Sequence, residues 1–286
     1  MTNAAMSDES RLLGFCKMEG AGNDFILINA ARYPDIPDLG RLAHDVCARR
    51  TSVGADGLIV VGPSQRPDAS VRVRFWNPDG HETATCGNGT RCAARFAVLE
   101  GLAPDRMLIE TLGGDIEARV AGETVTLGFR TVPTLALDIT VTGADGSVTG
   151  HRAEIGIPHL VIPVEVLPDG PIEPMCQPLR HARELGPEGA NVNLAQVVDR
   201  HRIRLRTYER GVEAETLACG SGSLSSAMAL CGAGLVDSPV AVETRSGDLL
   251  SVRFEREPDG RFTRPELEGP ARVVYWAHLG DLGPAA

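Results

Sequence analysis

Glu-Thr-Ala-Thr-Cys-Gly-Asn-Gly-Thr at residues 82–90 and Glu-Thr-Leu-Ala-Cys-Gly-Ser-Gly-Ser at residues 215–223 repeat one pattern at an offset of 133 residues, each centred on a cysteine. The offset carries Glu82 onto Glu215, Thr83 onto Thr216, Cys86 onto Cys219 and Gly89 onto Gly222. Further out it pairs Asn77 with Arg210, Phe75 with Tyr208, and Gly101-Leu102 with Gly234-Leu235. A spacing kept over that distance marks a chain built from two similar halves, each offering one thiol in the same setting. Two opposed acid/base groups are what inversion of a carbon centre requires.

The residues after each cysteine carry the fold. Cys219 to Cys231 contains no charged residue, and Cys86 to Leu99 has only Arg91 and Arg95. A helix apolar nearly all round is buried on most sides. Around these two segments the pattern is mostly strand: 15–18, 25–29, 58–61, 71–76, 108–111, 116–120 and 124–129 in the first half, then 159–166, 191–198, 202–208, 240–244, 249–254 and 271–276. Helical spacing predicts a further helix over 38–49, and another near 178–185 after a loop rich in proline (Pro168, Pro171, Pro174). Alternating βα units are missing, which argues against a doubly wound parallel sheet. The expected class is α+β, each half a sheet curled about a buried central helix, with the halves meeting near 128–133.

Composition narrows the function. The chain has 286 residues, 43% of them hydrophobic, enough for two real cores. A formal charge of −10 argues against a nucleic-acid or anionic-membrane partner. No run of 18 apolar residues suggests a membrane span. Residues 1–10 are polar, so no signal peptide is read and a disordered tail is expected, with Met6 as an alternative start. Seven cysteines without secretory features point to a reducing, cytoplasmic setting and free thiols, and none stands in a metal-ligand spacing. The 28 basic residues include one lysine, Lys17, in a predicted strand far from any phosphate-cradling loop, so a pyridoxal Schiff base is not expected.

Cys-Gly-x-Gly at a helix start sets a thiol among unpaired backbone N–H groups at the positive end of the helix dipole. Such a setting predicts a thiol pKa lowered from about 8.5 to roughly 3.5–7.5, and the same amides can bind a carboxylate. One copy alone would read as a buried structural cysteine. The second copy at a matched position turns the reading to chemistry.

With those motifs in view, the chain resembles the diaminopimelate epimerases from about Phe15 to Trp276. The marks are Gly-Ala-Gly-Asn-Asp-Phe (20–25), Arg-Thr-Ser-Val-Gly-Ala-Asp-Gly (50–57), Trp-Asn-Pro-Asp-Gly (76–80), Thr-Cys-Gly-Asn-Gly-Thr-Arg (85–91), Gly-Ile-Pro-His (156–159), Gly-Ala-Asn-Val-Asn (189–193), Glu-Arg-Gly (209–211) and Leu-Ala-Cys-Gly-Ser-Gly (217–222). The resemblance implies two pseudo-symmetric barrel-and-helix domains with the site in the cleft between them. The expected bounds are 11–129, joined by a returning segment 272–286, and 130–271. It implies epimerisation of LL- to meso-diaminopimelate without a cofactor or metal, in lysine and peptidoglycan precursor synthesis, and it allows a homodimer.

The resemblance makes Cys86 and Cys219 the thiolate base and thiol acid. It assigns the Gly87-Asn88 and Gly220-Ser221 amides, with Asn23, Asn77, Asn191, Glu209 and Arg210, to a diamino dicarboxylate substrate. His159 and Glu209 become groups that tune the cysteine pair. Arg210 suits a carboxylate because its planar fork can hold both oxygens. Cys16, Cys47, Cys92, Cys176 and Cys231 read as packing residues. Two departures stand out: many relatives have Asn-Pro-His where this chain has Ile157-Pro158-His159, and others have a glutamine where this chain has Asp56-Gly57. The first removes one polar contact to the distal end of the substrate. A racemase for another amino acid on the same fold, or a redox-responsive amino-acid binding protein, are the competing readings.

Overall fold

The computed structural model describes residues 12–144 and 146–280. The tail expected at 1–10 lies outside the described residues, as do residue 11 and residues 281–286 of the expected domain bounds. The first half runs β1 (Leu13–Gly20), β2 (Asn23–Asn29), α1 (Leu39–Cys47), β3 (Gly57–Pro63), β4 (Val71–Trp76), β5 (Glu82–Thr83), α2 (Gly87–Leu99), β6 (Arg106–Thr111), β7 (Gly114–Ala121) and β8 (Thr124–Phe129). The second runs β9 (Thr134–Gly143), β10 (Gly146–Ile155), β11 (Ile157–Val164), α3 (Glu173–Arg180), β12 (Asn191–Asp199), β13 (Arg202–Glu209), β14 (Ala214–Thr216), α4 (Gly220–Gly232), β15 (Val240–Glu243), β16 (Leu249–Arg256) and β17 (Phe262–Pro270). Last comes β18 (Arg272–Leu279). The offset of 133 lays α2 on α4 end to end.

Strand pairing repeats as well. One lobe orders its strands β18-β1-β2-β3-β4-β6-β7-β8, with β2–β3 and β4–β6 parallel and the rest antiparallel. The other orders them β9-β10-β11-β12-β13-β15-β16-β17, with β11–β12 and β13–β15 parallel. The lobes exchange strands in sequence: β9 joins the second lobe straight after β8, and β18 returns to pair with β1. An antiparallel β8–β17 pair stitches the two sheets together.

Each lobe curls about its central helix. Helix α2 touches β1, β2, β3, β4, β7 and β8, and α4 touches β9 to β13 and β15 to β17. Such enclosure explains why both helices lack a polar face: Cys92, Ala93, Ala94, Phe96 and Ala97 fill one core, and Leu224, Ala227, Met228, Ala229 and Leu230 the other. Phe96 is fully buried and stacks on Trp276 of β18 at 5.8 Å, so Phe96→Ala would cost about 3–5 kcal/mol. Outside the first sheet lies α1. Its Asp38 N-cap accepts from Arg41 N at 2.8 Å, and its buried face is Leu42, Ala43, Val46 and Cys47.

Five strands and one helix boundary depart from the sequence reading. β9 and β10 form at 134–143 and 146–155, and the short β5 and β14 just ahead of the two cysteines, where no strand was expected, and β17 forms despite Pro265 and Pro270. The proline stretch is not all loop: α3 starts at Glu173, with Pro174 in its first turn and Pro178 inside, and only a 3-10 turn follows at Arg183–Leu185. A proline in the first helical turn removes an N–H that has no partner there anyway. Among the described residues no helix is long and apolar enough to cross a membrane.

Candidate active site

The N-termini of α2 and α4 meet where the lobes join. A Cβ placed on Gly87 would sit 3.9 Å from Gly220 Cα, and one on Gly220 would sit 3.7 Å from Asn88 Oδ1. Each cysteine is the N-cap of its helix in extended backbone, and each is anchored the same way. Thr90 N and Oγ1 donate to Cys86 O at 2.7 and 2.8 Å. Ser223 N and Oγ donate to Cys219 O, both at 2.9 Å. Two helix N-termini thus converge with a thiol at each tip, an arrangement that concentrates unpaired N–H groups and positive potential on one small volume.

Around Cys219 the polar groups are dense. Gly222 N donates to Cys219 Sγ at 3.3 Å, and Ser221 Oγ lies 3.5 Å from the sulfur. Ser221 Oγ also meets His159 Nε2 at 3.0 Å, and His159 Nδ1 meets Asn193 Nδ2 at 3.1 Å. Glu209 accepts from Thr216 Oγ1 at 2.6 Å, and its charge acts on Cys219. His159 and Asn193 are fully buried.

A different network lies beside Cys86. Asn88 Nδ2 donates to Asn23 Oδ1 at 2.5 Å and to Ala218 O at 2.9 Å. Asn23 Nδ2 donates onward to Asp56 Oδ2 at 3.0 Å, so Asp56 supports Asn23. Arg91, fully buried, donates from Nη2 to Asn88 Oδ1 at 3.0 Å and from Nε to Pro270 O at 3.1 Å. Its Nη1 has no partner, and among the described residues no carboxylate forms an ion pair with it.

Electrostatics correct one expectation. Both thiols are raised rather than lowered. Desolvation pushes Cys86 up, against the amides of Gly89 and Asn88 and the charge of Arg91. Desolvation pushes Cys219 up further, helped by the Glu209 charge and opposed by the Ser221 and Gly222 hydrogen bonds. Burial of the sulfur outweighs the helix terminus here. Burial also raises Glu209, against its bond from Thr216. His159 is pushed down to about 3 by burial first and Arg210 second, so its ring is neutral.

The remaining expected residues divide. Asn191 Oδ1 accepts from Arg210 N at 2.7 Å, while its buried Nδ2 has no partner and is free to donate. Arg210 is half-buried, and its Nη1 lies 3.8 Å from Glu188 Oε2. Asn77 stands exposed at the end of β4, its N–H closing a turn onto His81 O at 3.0 Å; among the described residues its side chain makes no hydrogen bond. Ile157 opens β11 opposite Ile155. Lys17 is buried and paired with Asp24 at 2.8 Å. Burial pushes Cys47 up to about 11 and Cys16 up to about 12, leaving both inert.

Four contributors went unread in the sequence: Arg91, Asp56, Asn193, and Thr207, whose Oγ1 donates to Asn193 Oδ1 at 2.9 Å. A signal existed for Asn193, because period-two spacing from Asn191 puts a second amide on the same face of an otherwise apolar strand. For Arg91 the signal was a cation inside a helix otherwise almost free of charge.

The family model described as diaminopimelate epimerase matches residues 15–131 and 152–263. A diaminopimelate epimerase of Aquifex aeolicus is 38% identical over 277 residues, covering 93% of this chain and 98% of the relative. One from Archaeoglobus fulgidus is 40% identical over 262 residues, covering 86% and 90%. Among solved structures, a phenazine biosynthesis protein of the PhzF family from Bacillus anthracis aligns with a TM-score of 0.70 at 15% identity, covering 94% of this chain and 99% of that one. A hydroxyproline epimerase from Agrobacterium vitis aligns with the same TM-score at 14% identity, covering 94% and 91%. At those identities the likeness is one of fold. Fold and relatives together define an isomerase, a two-lobed epimerase. The chain belongs to the diaminopimelate epimerase family.

Proposed function

We propose that this protein interconverts LL- and meso-2,6-diaminopimelate without a cofactor, Cys86 and Cys219 acting from opposite faces of one α-carbon. The observation that carries the reading is the convergence of the α2 and α4 N-termini, each tipped by a cysteine. One sulfur, as thiolate, takes the α-proton. The opposite thiol gives its proton to the other face of the carbon, and the two sulfurs exchange protonation states at each turnover.

The charge that develops on the α-carbon spreads into its carboxylate. The Gly87-Asn88 and Gly220-Ser221 amides stabilise it there without reorganising water. A raised thiol pKa is no obstacle, because a less stable thiolate is a stronger base towards a weakly acidic C–H bond. When Cys219 is the base, its proton passes to the Glu209 carboxylate, which burial makes a better proton acceptor. The pair titrates as a coupled unit. Arg210, Asn23, Asn77 and the unpartnered amide of Asn191 take the charged ends of the substrate.

On this reading the enzyme is cytoplasmic and serves lysine and peptidoglycan precursor synthesis. Its units are 11–129 with the returning 272–286, and 130–271. The test is α-proton exchange in deuterated water with diaminopimelate, proline and histidine, no cofactor added. Exchange confined to diaminopimelate, and loss of epimerisation in both Cys86→Ala and Cys219→Ala, is expected. Full epimerisation by either variant removes the two-thiol scheme. Binding without exchange favours a binding protein instead.

A further inference from the structure

We infer that Asn193 and Thr207 are positioning residues, which set the polarity of a hydrogen-bond chain that ends by donating to the Cys219 sulfur. The inference rests on the thiol roles proposed above, and deepens them. Its logic starts at a backbone carbonyl. Leu160 O can only accept, so the Asn193 atom 3.1 Å away is Nδ2, and Oδ1 is the atom that Thr207 Oγ1 meets at 2.9 Å. Thr207 therefore donates, and the amide is locked at both ends.

An amide nitrogen carries only hydrogens to offer. One hydrogen of Nδ2 goes to Leu160 O, and the other points at His159 Nδ1, 3.1 Å away. That ring nitrogen must be bare, which puts the ring proton on Nε2. Nε2–H then donates to Ser221 Oγ at 3.0 Å. With its oxygen occupied in this way, the one hydrogen of Ser221 is committed to Cys219 Sγ at 3.5 Å. Thr207, Asn193 and His159 are all buried, so bulk water does not compete for these bonds. His159 is also neutral at working pH, so protonation does not reverse the direction.

The first turn of α4 is built onto the same amide. A Cβ on Gly222 would fall 2.6 Å from Asn193 Oδ1, so only glycine fits there, and Gly222 N is the second donor to the sulfur. The first lobe has no such chain. The offset of 133 puts Ile26, Val60, Arg74 and Asn88 where the second lobe has His159, Asn193, Thr207 and Ser221. The difference has a use. Glu209 raises both thiols by its charge, and the chain supplies the Cys219 sulfur alone with a fixed donor for its thiolate form. The titratable groups that act on Cys219 or on its chain are Glu209 from β13 and His159 from β11, the latter through Ser221, with Arg210 acting on His159.

Long-range proton–nitrogen NMR on the full-length, histidine-labelled protein reads the His159 tautomer directly, with His159→Gln assigning the signal. The expected result is a protonated Nε2 and a bare Nδ1 across the neutral range, becoming a mixture in Thr207→Val. A protonated Nδ1 or a charged ring in the unmodified protein overturns the inference. Kinetics give a second readout. In the direction where Cys219 is the base, Ser221→Ala should move the acid limb of kcat/KM to higher pH by about one unit, roughly a tenfold loss on that limb. Ser221→Thr should restore it, and Thr207→Val should move it less, in the same direction. A Ser221→Ala profile that overlays the unmodified one overturns the chain while leaving epimerisation intact. Absence of turnover by the unmodified protein would instead strike the proposed reaction, and the spectra would still decide the chain.

Discussion

Asn88, the second residue of α2, donates its Nδ2 to the carbonyl of Ala218, the residue ahead of Cys219, at 2.9 Å. One side chain from the first lobe thereby holds the loop that carries the thiol of the second. Two groups that must flank one carbon need their separation fixed to within a fraction of an ångström. Asn88→Ala leaves the carbonyl unpaired and both loops free to drift. The expected outcome is a fall in kcat/KM of about a hundredfold, with the melting temperature lowered by only a few degrees. Steady-state kinetics beside calorimetry check it; retained turnover would mean that the loops are held by other contacts.

Arg91 keeps a buried positive charge with no ion-pair partner among the described residues, one hydrogen bond away from Asn88. A lone buried charge is costly to the fold, and replacing such a group by an apolar one of similar length is often neutral or stabilising. Its charge favours anions at the α2 N-terminus. Arg91→Met should therefore hold or raise the melting temperature while kcat/KM drops at least about tenfold. A markedly less stable variant with kcat/KM preserved would make Arg91 a structural residue.

His159 makes stability depend on acid. The unfolded imidazole binds its proton below 6.5, whereas the folded one stays neutral down to about 3. Between those values the unfolded chain holds more protons, so stability falls as pH falls, by about 1.4 kcal/mol per pH unit from this residue. Above 6.5 the contribution is fully present. Urea melts of the unmodified protein and of His159→Gln, taken across that window, should diverge with this slope; parallel curves would contradict a buried neutral ring.

Gly222→Ala tests how closely α4 rests on Asn193. A methyl there would meet Asn193 Oδ1 at 2.6 Å. The amide cannot retreat without losing the bonds to Leu160 O and His159 Nδ1. A loss of about 1–3 kcal/mol by chemical denaturation is expected, with activity impaired. Unchanged stability and turnover would show that the amide can give way.

How much of this was legible beforehand follows from what each residue advertises. The helices after Cys86 and Cys219 were plain because enclosure inside a curled sheet leaves few charged residues on them, none on α4 and only Arg91 and Arg95 on α2. β17 was hidden by Pro265 and Pro270, which ordinarily argue against a strand, although it is the strand that pairs with β8 across the lobes. β9 was obscured because most of its residues face solvent, with only Val141 fully buried. At the site, the cysteines announced themselves through the repeat. The direction of their pKa shifts did not, because a motif displays the helix terminus but not the desolvation that opposes it. Asn193 and Thr207 act through a histidine, and only coordinates show which atom faces which.

The central claim is that two sulfurs share one carbon, and the fate of solvent hydrogen tests it most directly. Diaminopimelate of one configuration is turned over in deuterated water to low conversion, and mass spectrometry reads deuterium in each isomer separately. A solvent-exchanged thiol on the far face should place deuterium in the product isomer, while recovered substrate keeps its original hydrogen. Equal labelling of both isomers from the start would mean that a single group serves both faces, and would contradict the account.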